Sequence, residues 1–473
     1  MNKPRLLCAL TGIAAGAVAQ AQERPNIVFV LADDLGWGDL GCYGQERFAT
    51  PNIDSLASRG LRFTQCYSGT TVSAPSRSCL ITGTHSGHTA IRGNLELDPE
   101  GQFPLPEGQE TLFRDLKAAG YTTGAFGKWG LGFIGSTGDP QRQGVDRFFG
   151  YNCQLLAHSY YPDHLWDNSQ RIDLATDMPY GEGVYAPELI HQKAVEWLRE
   201  AAGSHRPFFL WYPTTIPHAE LIVPEDSLIR RYRGMYPETP YRGTDDGPFF
   251  RKGGYCSQAA PRATFAAMVA RLDAYVGDLV KELKELGVYE NTLIIFASDN
   301  GPHKEGGADP DFFDSNGPWR GYKRDVYEGG IRVPMIVSWP GHVVPGTETD
   351  FMCSFWDLMP TFRDLTAVAS PDGMDGVSLL PLLEGREGQR EHDYLYFEFQ
   401  ELGGRQAVRE GAWKLVHMDI RSDSPRYELY NLDEDPGETV DLSNRYPDIV
   451  TRLKNLMAEA HVPNPNFPVL REE

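Results

Sequence analysis

Hydrophobic residues run along this chain in short, nearly unbroken stretches separated by longer segments of helical period. Residues 26–32 (Asn-Ile-Val-Phe-Val-Leu-Ala), 208–212, 292–297 and 335–339 are apolar almost throughout, the pattern of strands covered on both faces in a parallel sheet. Residues 121–126 form a further predicted strand, delivered by an amphipathic helix over 110–119 that Gly120 closes. Thr50-Pro51 opens a helix, residues 262–286 line up Leu272, Val276, Leu279, Leu283 and Leu286 on one face, and 354–365 read as another helix. Near the C-terminus the period drops to two: 407–416 and 427–432 alternate like a hairpin, and a helix over 447–460 follows. Buried strands alternating with helices predict an α/β core, and the alternating tail predicts a smaller α+β unit.

Two weakly periodic stretches punctuate this order. Residues 220–258, with scattered Pro, Gly, Arg and Tyr, read as an insertion that shapes a site, and 371–388 as a Gly/Pro-bearing crossover. Residues 1–21 read as a secretory leader: Lys3 and Arg5, an apolar run over 6–18, then Ala19-Gln20-Ala21 as the cleavage site. The expected organisation is a leader over 1–21, a catalytic domain over 22–385 and a C-terminal subdomain over 386–473, with the mature chain periplasmic or secreted. No later apolar run reaches the ~18 residues of a membrane span. The chain has 473 residues, 41% of them hydrophobic, enough for a large core. A net charge of −21 without any Lys/Arg block argues against nucleic acid as a partner and requires a locally positive pocket for an anionic substrate. Cys8 lies in the leader; Cys42, Cys66, Cys79, Cys153, Cys256 and Cys353 form no C-x-x-C pair and read as scattered buried thiols.

Chemistry collects where the apolar runs stop. One run ends in Asp33-Asp34-Leu35-Gly36 and another in Ser298-Asp299-Asn300-Gly301, and open α/β sheets bind ligands at the carboxyl ends of their strands. Adjacent carboxylates there either cap the next element or face a cation. Asp33, Asp34, Asp299 and Asn300, with an oxygen from residue 73, make an all-oxygen set that suits one Ca²⁺ with its roughly 6–8 ligands, or Mg²⁺ with more waters kept. Residues 121–126 lead to Gly127-Lys128-Trp129-Gly130, and 208–212 lead to His218, placed for acid–base work. In Thr71-Val72-Ser73-Ala74-Pro75-Ser76-Arg77-Ser78-Cys79-Leu80, Pro75 opens a helix as its first residue. Ser73 then sits just before the positive, N–H-rich helix end, with Arg77 facing the same way: either a capped helix or a seat for a tetrahedral anion. Residues 84–94 hold His85 and His88 among polar donors. Residues 144–166 hold Phe149, His158, Tyr160, Tyr161 and His164, suited to a sugar-binding rim or to core packing.

Ser73-x-Pro-Ser-Arg-x-x-Leu-x-Thr-Gly resembles the signature of the formylglycine-dependent sulfatases, and four further motifs follow in that family's order. The resemblance implies an alkaline-phosphatase-like α/β sandwich with a large central mixed sheet, plus a smaller C-terminal α+β subdomain with an antiparallel sheet and terminal helix. It implies that a maturase oxidises Ser73 to formylglycine (3-oxoalanine), whose hydrate attacks a sulfate ester of a carbohydrate. Arg77, Lys128 and Lys323, the last within Arg320-Gly321-Tyr322-Lys323-Arg324, are implied to bind the sulfate, with Arg324 the competing assignment, and His218 to protonate the leaving alcohol. Residues 85–94 and 149–166 look most like bacterial sulfatases acting on galactose or N-acetylgalactosamine sulfates. An exo-acting enzyme for a 6- or 4-O-sulfate is the expectation, with His85, His88 and His164 as sugar contacts. Gly130 departs from the motif, standing where the family has histidine; the expectation is that His85 or His88 reaches into that place. The alternatives are a phosphomonoester or phosphodiester hydrolase of the same superfamily and a non-catalytic binder of sulfated glycans.

Overall fold

The computed structural model describes residues 24–175, 182–244, 255–371 and 374–471. The expected leader and part of the 220–258 insertion lie outside these residues. Fourteen strands matter here. The large sheet contains β1 (Asn26–Ala32), β2 (Leu61–Phe63), β3 (Thr122–Lys128), β4 (Arg147–Tyr151), β5 (His164–Asp167), β6 (Gln170–Asp173), β7 (Phe208–Pro213), β8 (Thr292–Ser298), β9 (Met335–Ser338) and β10 (Thr347–Thr349). Their spatial order is β10-β2-β9-β8-β1-β7-β3-β4-β5-β6. β8, β1, β7, β3 and β4 run parallel, and β9 and β5 turn antiparallel at either side, so the sheet is mixed as expected.

The unbroken apolar runs are explained by two buried faces. Val28 and Val30 of β1 enter one core with residues of the helices α3 (Ala186–Gly203) and α4 (Pro261–Glu285), whereas Ile27, Phe29 and Leu31 enter another. The second core is closed by α1 (Ser73–Thr82), α2 (Leu112–Ala118) and α5 (Leu358–Thr366). Each fully buried Val, Leu or Phe contributes about 1.5–3 kcal/mol of transfer free energy, which is why no polar residue interrupts β1 beyond Asn26. Helix α1 starts at Ser73 itself, so Pro75 is its third residue rather than its first.

The tail is the expected antiparallel unit: β11 (Leu395–Phe399), β12 (Arg405–Glu410), β13 (Trp413–Met418) and β14 (Arg426–Asn431), in sequential order. The run 407–416, expected as one hairpin arm, bends at Gly411 (φ 56°) and supplies parts of two strands. One face of this sheet takes Leu453, Met457 and Ala460 of the terminal helix (Pro447–Ala460). The other face packs on Tyr67, Cys79, Tyr327 and Trp356, which fixes it behind helix α1. A buried charge cluster pins the same contact: Lys414 Nζ lies 2.9 Å from Glu328 Oε1 and 2.8 Å from Glu438 Oε1.

Candidate active site

Parallel pairing of β1 with β8 puts Ala32 opposite Ser298, so the two acidic strand ends emerge side by side. Asp34 takes a left-handed backbone (φ 62°), a strained state for a side-chain-bearing residue, and its N–H donates to Asp299 Oδ1 at 3.1 Å. Two strands away, β3 delivers Lys128. Gly127 (φ 139°) rests against the Pro213 carbonyl, an approach that a Cβ would block. Helix α1 aims its first turn at this point.

The side chains expected from the sequence meet here, all buried. Ser73 Oγ donates to Asp33 Oδ1 at 2.9 Å and lies 3.5 Å from Lys128 Nζ. Lys128 donates to Asp33 Oδ2 at 2.7 Å, Arg77 binds Asp299 Oδ2 through Nε and Nη2 at 3.1 and 2.9 Å, and Lys323 donates to Asp34 Oδ2 at 2.8 Å. Three carboxylates thus face three cations. Lys323 Nζ also lies 2.8 Å from His218 Nε2 and 3.2 Å from Glu305 Oε2. The rival assignment, Arg324, instead pairs with Glu305 at the rim and is partly exposed.

These contacts set the charges. Burial would raise Asp33, but Lys128, His218, Arg77 and Lys323 outweigh it and hold the carboxyl far below its usual range. Asp34 is likewise lowered against burial, chiefly by Lys323 and His218. Asp299 goes the other way: burial, then the Asp33 charge, raise it to about 7. Burial and the Lys323 charge push His218 down to about 4. A carboxylate raised first by burial and then by the Asp33 charge would be favoured by a cation in addition to Arg77. Asn300 supplies a second sign: its Nδ2 donates to Asp34 Oδ1 at 2.7 Å and to Gly301 O at 2.9 Å, while its buried Oδ1 has no partner. Asp33, Asp34, Asp299 and Asn300 therefore fit a hard divalent ion, and a donor set built on oxygen favours Ca²⁺ or Mg²⁺ over softer metals.

Three expected sugar contacts are not in this cluster. His85 stacks on His88 at 4.1 Å, His88 Nδ1 lies 2.9 Å from Asp375 Oδ1, and His85 packs edge-on to Trp356 and Tyr396 beneath the small sheet. Neither reaches the place beside Gly130. Gly130 adopts φ 72°, and a Cβ there would overlap the Gln154 side-chain amide, which covers the site instead. His164 is fully buried, its Nδ1 hydrogen-bonded to Asp163 Oδ1 at 2.7 Å and its Nε2 in ion-pair distance of Glu100 Oε2 at 2.8 Å, which holds it at the β5 edge. Sequence reasoning missed Glu305, His303 and Tyr255, and placed His158 only as a rim or packing residue. Glu305 and His303 follow Asn300 within the same post-strand loop, a position that the strand-end logic covers. His158 and Tyr255 converge only in the folded chain, where both rings pack by His218.

Comparison with known proteins agrees with this geometry. Residues 25–368 match the family described as Sulfatase, and 317–462 match the C-terminal region of N-sulphoglucosamine sulphohydrolase. Arylsulfatase A of Homo sapiens is 33% identical across 96% of this chain and 90% of its own length. N-acetylgalactosamine-6-sulfatase of Rattus norvegicus is 30% identical across 92% of this chain and 78% of its own. The crystal structure of Ps i-CgsB in complex with k-i-k-neocarrahexaose superposes with a TM-score of 0.77 at 27% identity, covering 92% of each chain. Phosphonate monoester hydrolase of Agrobacterium radiobacter, at 22% identity and a TM-score of 0.65, covering 95% of this chain and 100% of its own, shares the fold. Nearly the whole described chain is thus accounted for by one family, and the protein is a sulfatase, a hydrolase of sulfuric esters.

Proposed function

We propose that this protein is a secreted, calcium-dependent exo-sulfatase that removes a 6- or 4-O-sulfate from a galactose or N-acetylgalactosamine residue of a glycan. The observation that carries this reading is the seat of Ser73. Its Oγ lies on the first turn of helix α1, bonded to Asp33 and facing Lys128, where three carboxylates and three cations converge. The similarity to N-acetylgalactosamine-6-sulfatase supports the sugar class.

Asp33, Asp34, Asp299 and Asn300, with the residue 73 oxygen, would hold one Ca²⁺. When present, this ion and a formylglycine at 73 supply charge neutralisation and a nucleophilic oxygen that serine alone lacks. The chain's own groups do the rest. Arg77, Lys128 and Lys323 offset the negative charge that builds on the sulfate oxygens, at almost no reorganisation cost because each is already fixed by a carboxylate. His218 Nδ1 donates to Ala219 O, so Nε2 is the working nitrogen. It shares one labile proton with Lys323 Nζ, and that proton passes to the oxygen of the departing alcohol.

Peptide mass spectrometry on the tryptic fragment containing Ser73, from chain co-expressed with a serine-accepting maturase, tests the reading. Conversion lowers the mass by about two units and precedes turnover of sulfated galactosides. An unconverted Ser73 in a host whose maturase works on other targets refutes it, and sugar binding without turnover after conversion identifies a glycan-binding protein. A two-metal phosphate-ester hydrolase has two clusters in its favour: donor atoms of Asp33, Asp34 and His218, and those of Asp34, His303 and Glu305, lie within 4.8 Å of one another in each group. Against it, both ring nitrogens of His303 are engaged, with Pro217 O and Glu305 N–H. Zinc content and activity on nitrophenyl phosphate separate the two.

A further inference from the structure

Lys323 and Arg324 are neighbours in sequence that turn opposite ways. Lys323 is buried in the cluster, its Nζ 2.8 Å from Asp34 Oδ2, whereas the Arg324 side chain is 36% exposed and pairs with Glu305 at the rim. The reversal comes from the backbone: Arg324 holds φ 76°, a left-handed state that a side-chain-bearing residue adopts at a cost. Two contacts lock it there. Its N–H donates to the carbonyl of Thr71, two residues before Ser73, at 3.0 Å, and its own carbonyl accepts from Arg405 Nη1 at 2.8 Å, at the start of β12 in the small sheet. Strain held in place by two flanking segments, beside a reactive centre, marks a side chain whose direction matters.

Glu305 joins this guanidinium to the leaving-group side of the site. Its Oε2 accepts from Tyr255 Oη at 2.8 Å and from Lys323 Nζ at 3.2 Å, and lies 3.5 Å from His218 Nε2. Its Oε1 accepts from Arg324 Nη1. Among the described residues neither Oε1 nor the guanidinium has another hydrogen-bond partner, so a carboxylate lone pair and several coplanar N–H groups stand open side by side. An acceptor beside a donor is what a hydroxyl requires, since it gives one proton and takes another. Glu305 matches the Arg324 charge, which suits a neutral group and disfavours a second anion, whose oxygens would meet the carboxylate. An ester oxygen served by Lys323 Nζ and His218 Nε2 lies next to Glu305 Oε2, and the nearest hydroxyl of the same ring is thereby brought to the edge formed by Oε1 and Arg324.

We infer that Arg324 and Glu305 are the pair that reads the sugar. Together they bind the hydroxyl nearest the sulfate ester, which is O4 in a galactose 6-O-sulfate and O3 in a 4-O-sulfate, and they exclude a second sulfate or a carboxylate from that position. This rests on the galactoside reading proposed above and deepens it, by assigning specificity to two residues outside the sulfate contacts. The pair acts through binding alone. Because Glu305 also touches Lys323 and lies by His218, a hydroxyl held at its outer oxygen orients the ring against the groups that serve the departing alcohol.

The test sets each substrate against the analogue that lacks one oxygen: a galactoside 6-O-sulfate against its 4-deoxy form, and a galactoside 4-O-sulfate against its 3-deoxy form. Wild type is compared with Arg324→Asn, chosen because asparagine tolerates the left-handed backbone, and residue 73 conversion is measured by peptide mass in each chain. In wild type the cleaved galactoside is expected to exceed its deoxy form in kcat/KM by about 10–100-fold, the worth of a hydrogen bond to a charged group. In Arg324→Asn that ratio is expected to shrink to about threefold or less. Arg324→Lys keeps the charge without the planar fork and retains part of the ratio; it carries the test if asparagine prevents folding. A second sulfate on the read hydroxyl is expected to lower wild-type kcat/KM by at least about tenfold. A ratio that survives in Arg324→Asn overturns the inference, because the hydroxyl is then read elsewhere, and so does an equal loss on both forms, which marks a role in holding the loop. A disulfated form cleaved as fast as the monosulfated one overturns the exclusion. Hydrolysis of nitrophenyl sulfate by converted wild type, with neither galactoside turned over, refutes the galactoside reading and this inference with it, and is told apart because wild type alone shows it.

Discussion

Replacing Asn300 by aspartate changes one side-chain atom and almost no volume, yet it reverses the chemistry at the strand end. In the native chain Nδ2 donates to Asp34 Oδ1 at 2.7 Å and to Gly301 O at 2.9 Å, and Oδ1 has no partner. Aspartate turns that donor into an acceptor facing two acceptors, and adds a fourth carboxylate to Asp33, Asp34 and Asp299. Two unit charges ~4 Å apart at an effective dielectric of ~20 interact by about 4 kcal/mol. The metal-free variant is therefore expected to lose about that much stability relative to wild type. Bound calcium reverses the sign, because the added carboxylate then faces a divalent cation, so calcium stabilises the variant more than it stabilises wild type. With an unfolding entropy of about 2.1 cal/mol/K per residue, 1 kcal/mol is worth about 1 °C in a chain of this size, so the metal-free Tm drops by about 4 °C. Scanning calorimetry in chelator and in millimolar calcium measures both effects, at a pH above about 7, where Asp299 is ionised. A metal-free Tm equal to wild type, together with equal calcium stabilisation of both chains, would remove Asn300 from the metal site.

Gly130→His restores the family motif but is expected to damage this chain. The position needs φ 72°, and any side chain there overlaps Gln154. The strain costs about 1–3 kcal/mol, read as a lower denaturation midpoint with no gain in kcat, and Gln154→Gly in the same chain recovers part of the midpoint. Lys414→Met leaves Glu328 and Glu438 as buried carboxylates without their shared cation, a loss of about 3–5 kcal/mol in chemical denaturation. Glu438 also sets a pH dependence: burial raises it from 4.5 to about 7, so the folded chain binds more protons than the unfolded one between those values, and stability falls as pH rises through that window. Glu438→Gln is expected to flatten this slope in denaturation midpoints measured across the window; an unchanged slope would show that another group carries it.

The parts of this protein that were legible in its sequence are those whose physics is local. A strand covered on both faces must be apolar along its length, so β1, β7 and β8 stand out as runs, and the polar residues that end them mark the open edge of the sheet. In the structure Asp33, Asp34, Lys128, Asp299 and Asn300 lie at strand ends, His218 lies in the loop after β7, and Ser73 and Arg77 lie in the first turns of helix α1. Position along the chain says nothing, however, about which polar loop turns back onto the sheet edge. His85, His88 and His164 lie in polar loops as His158 does, and packing separates them: the first two are covered by the small sheet, the third is held between two carboxylates, and of these four only His158 stacks on His218. The occupant of the place beside Gly130 was likewise beyond the sequence, because Gln154 lies 24 positions away (130 to 154) and reaches it only through the pairing of β3 with β4. Local patterning determines where chemistry can be displayed; long-range packing decides which side chains are left with free atoms to perform it.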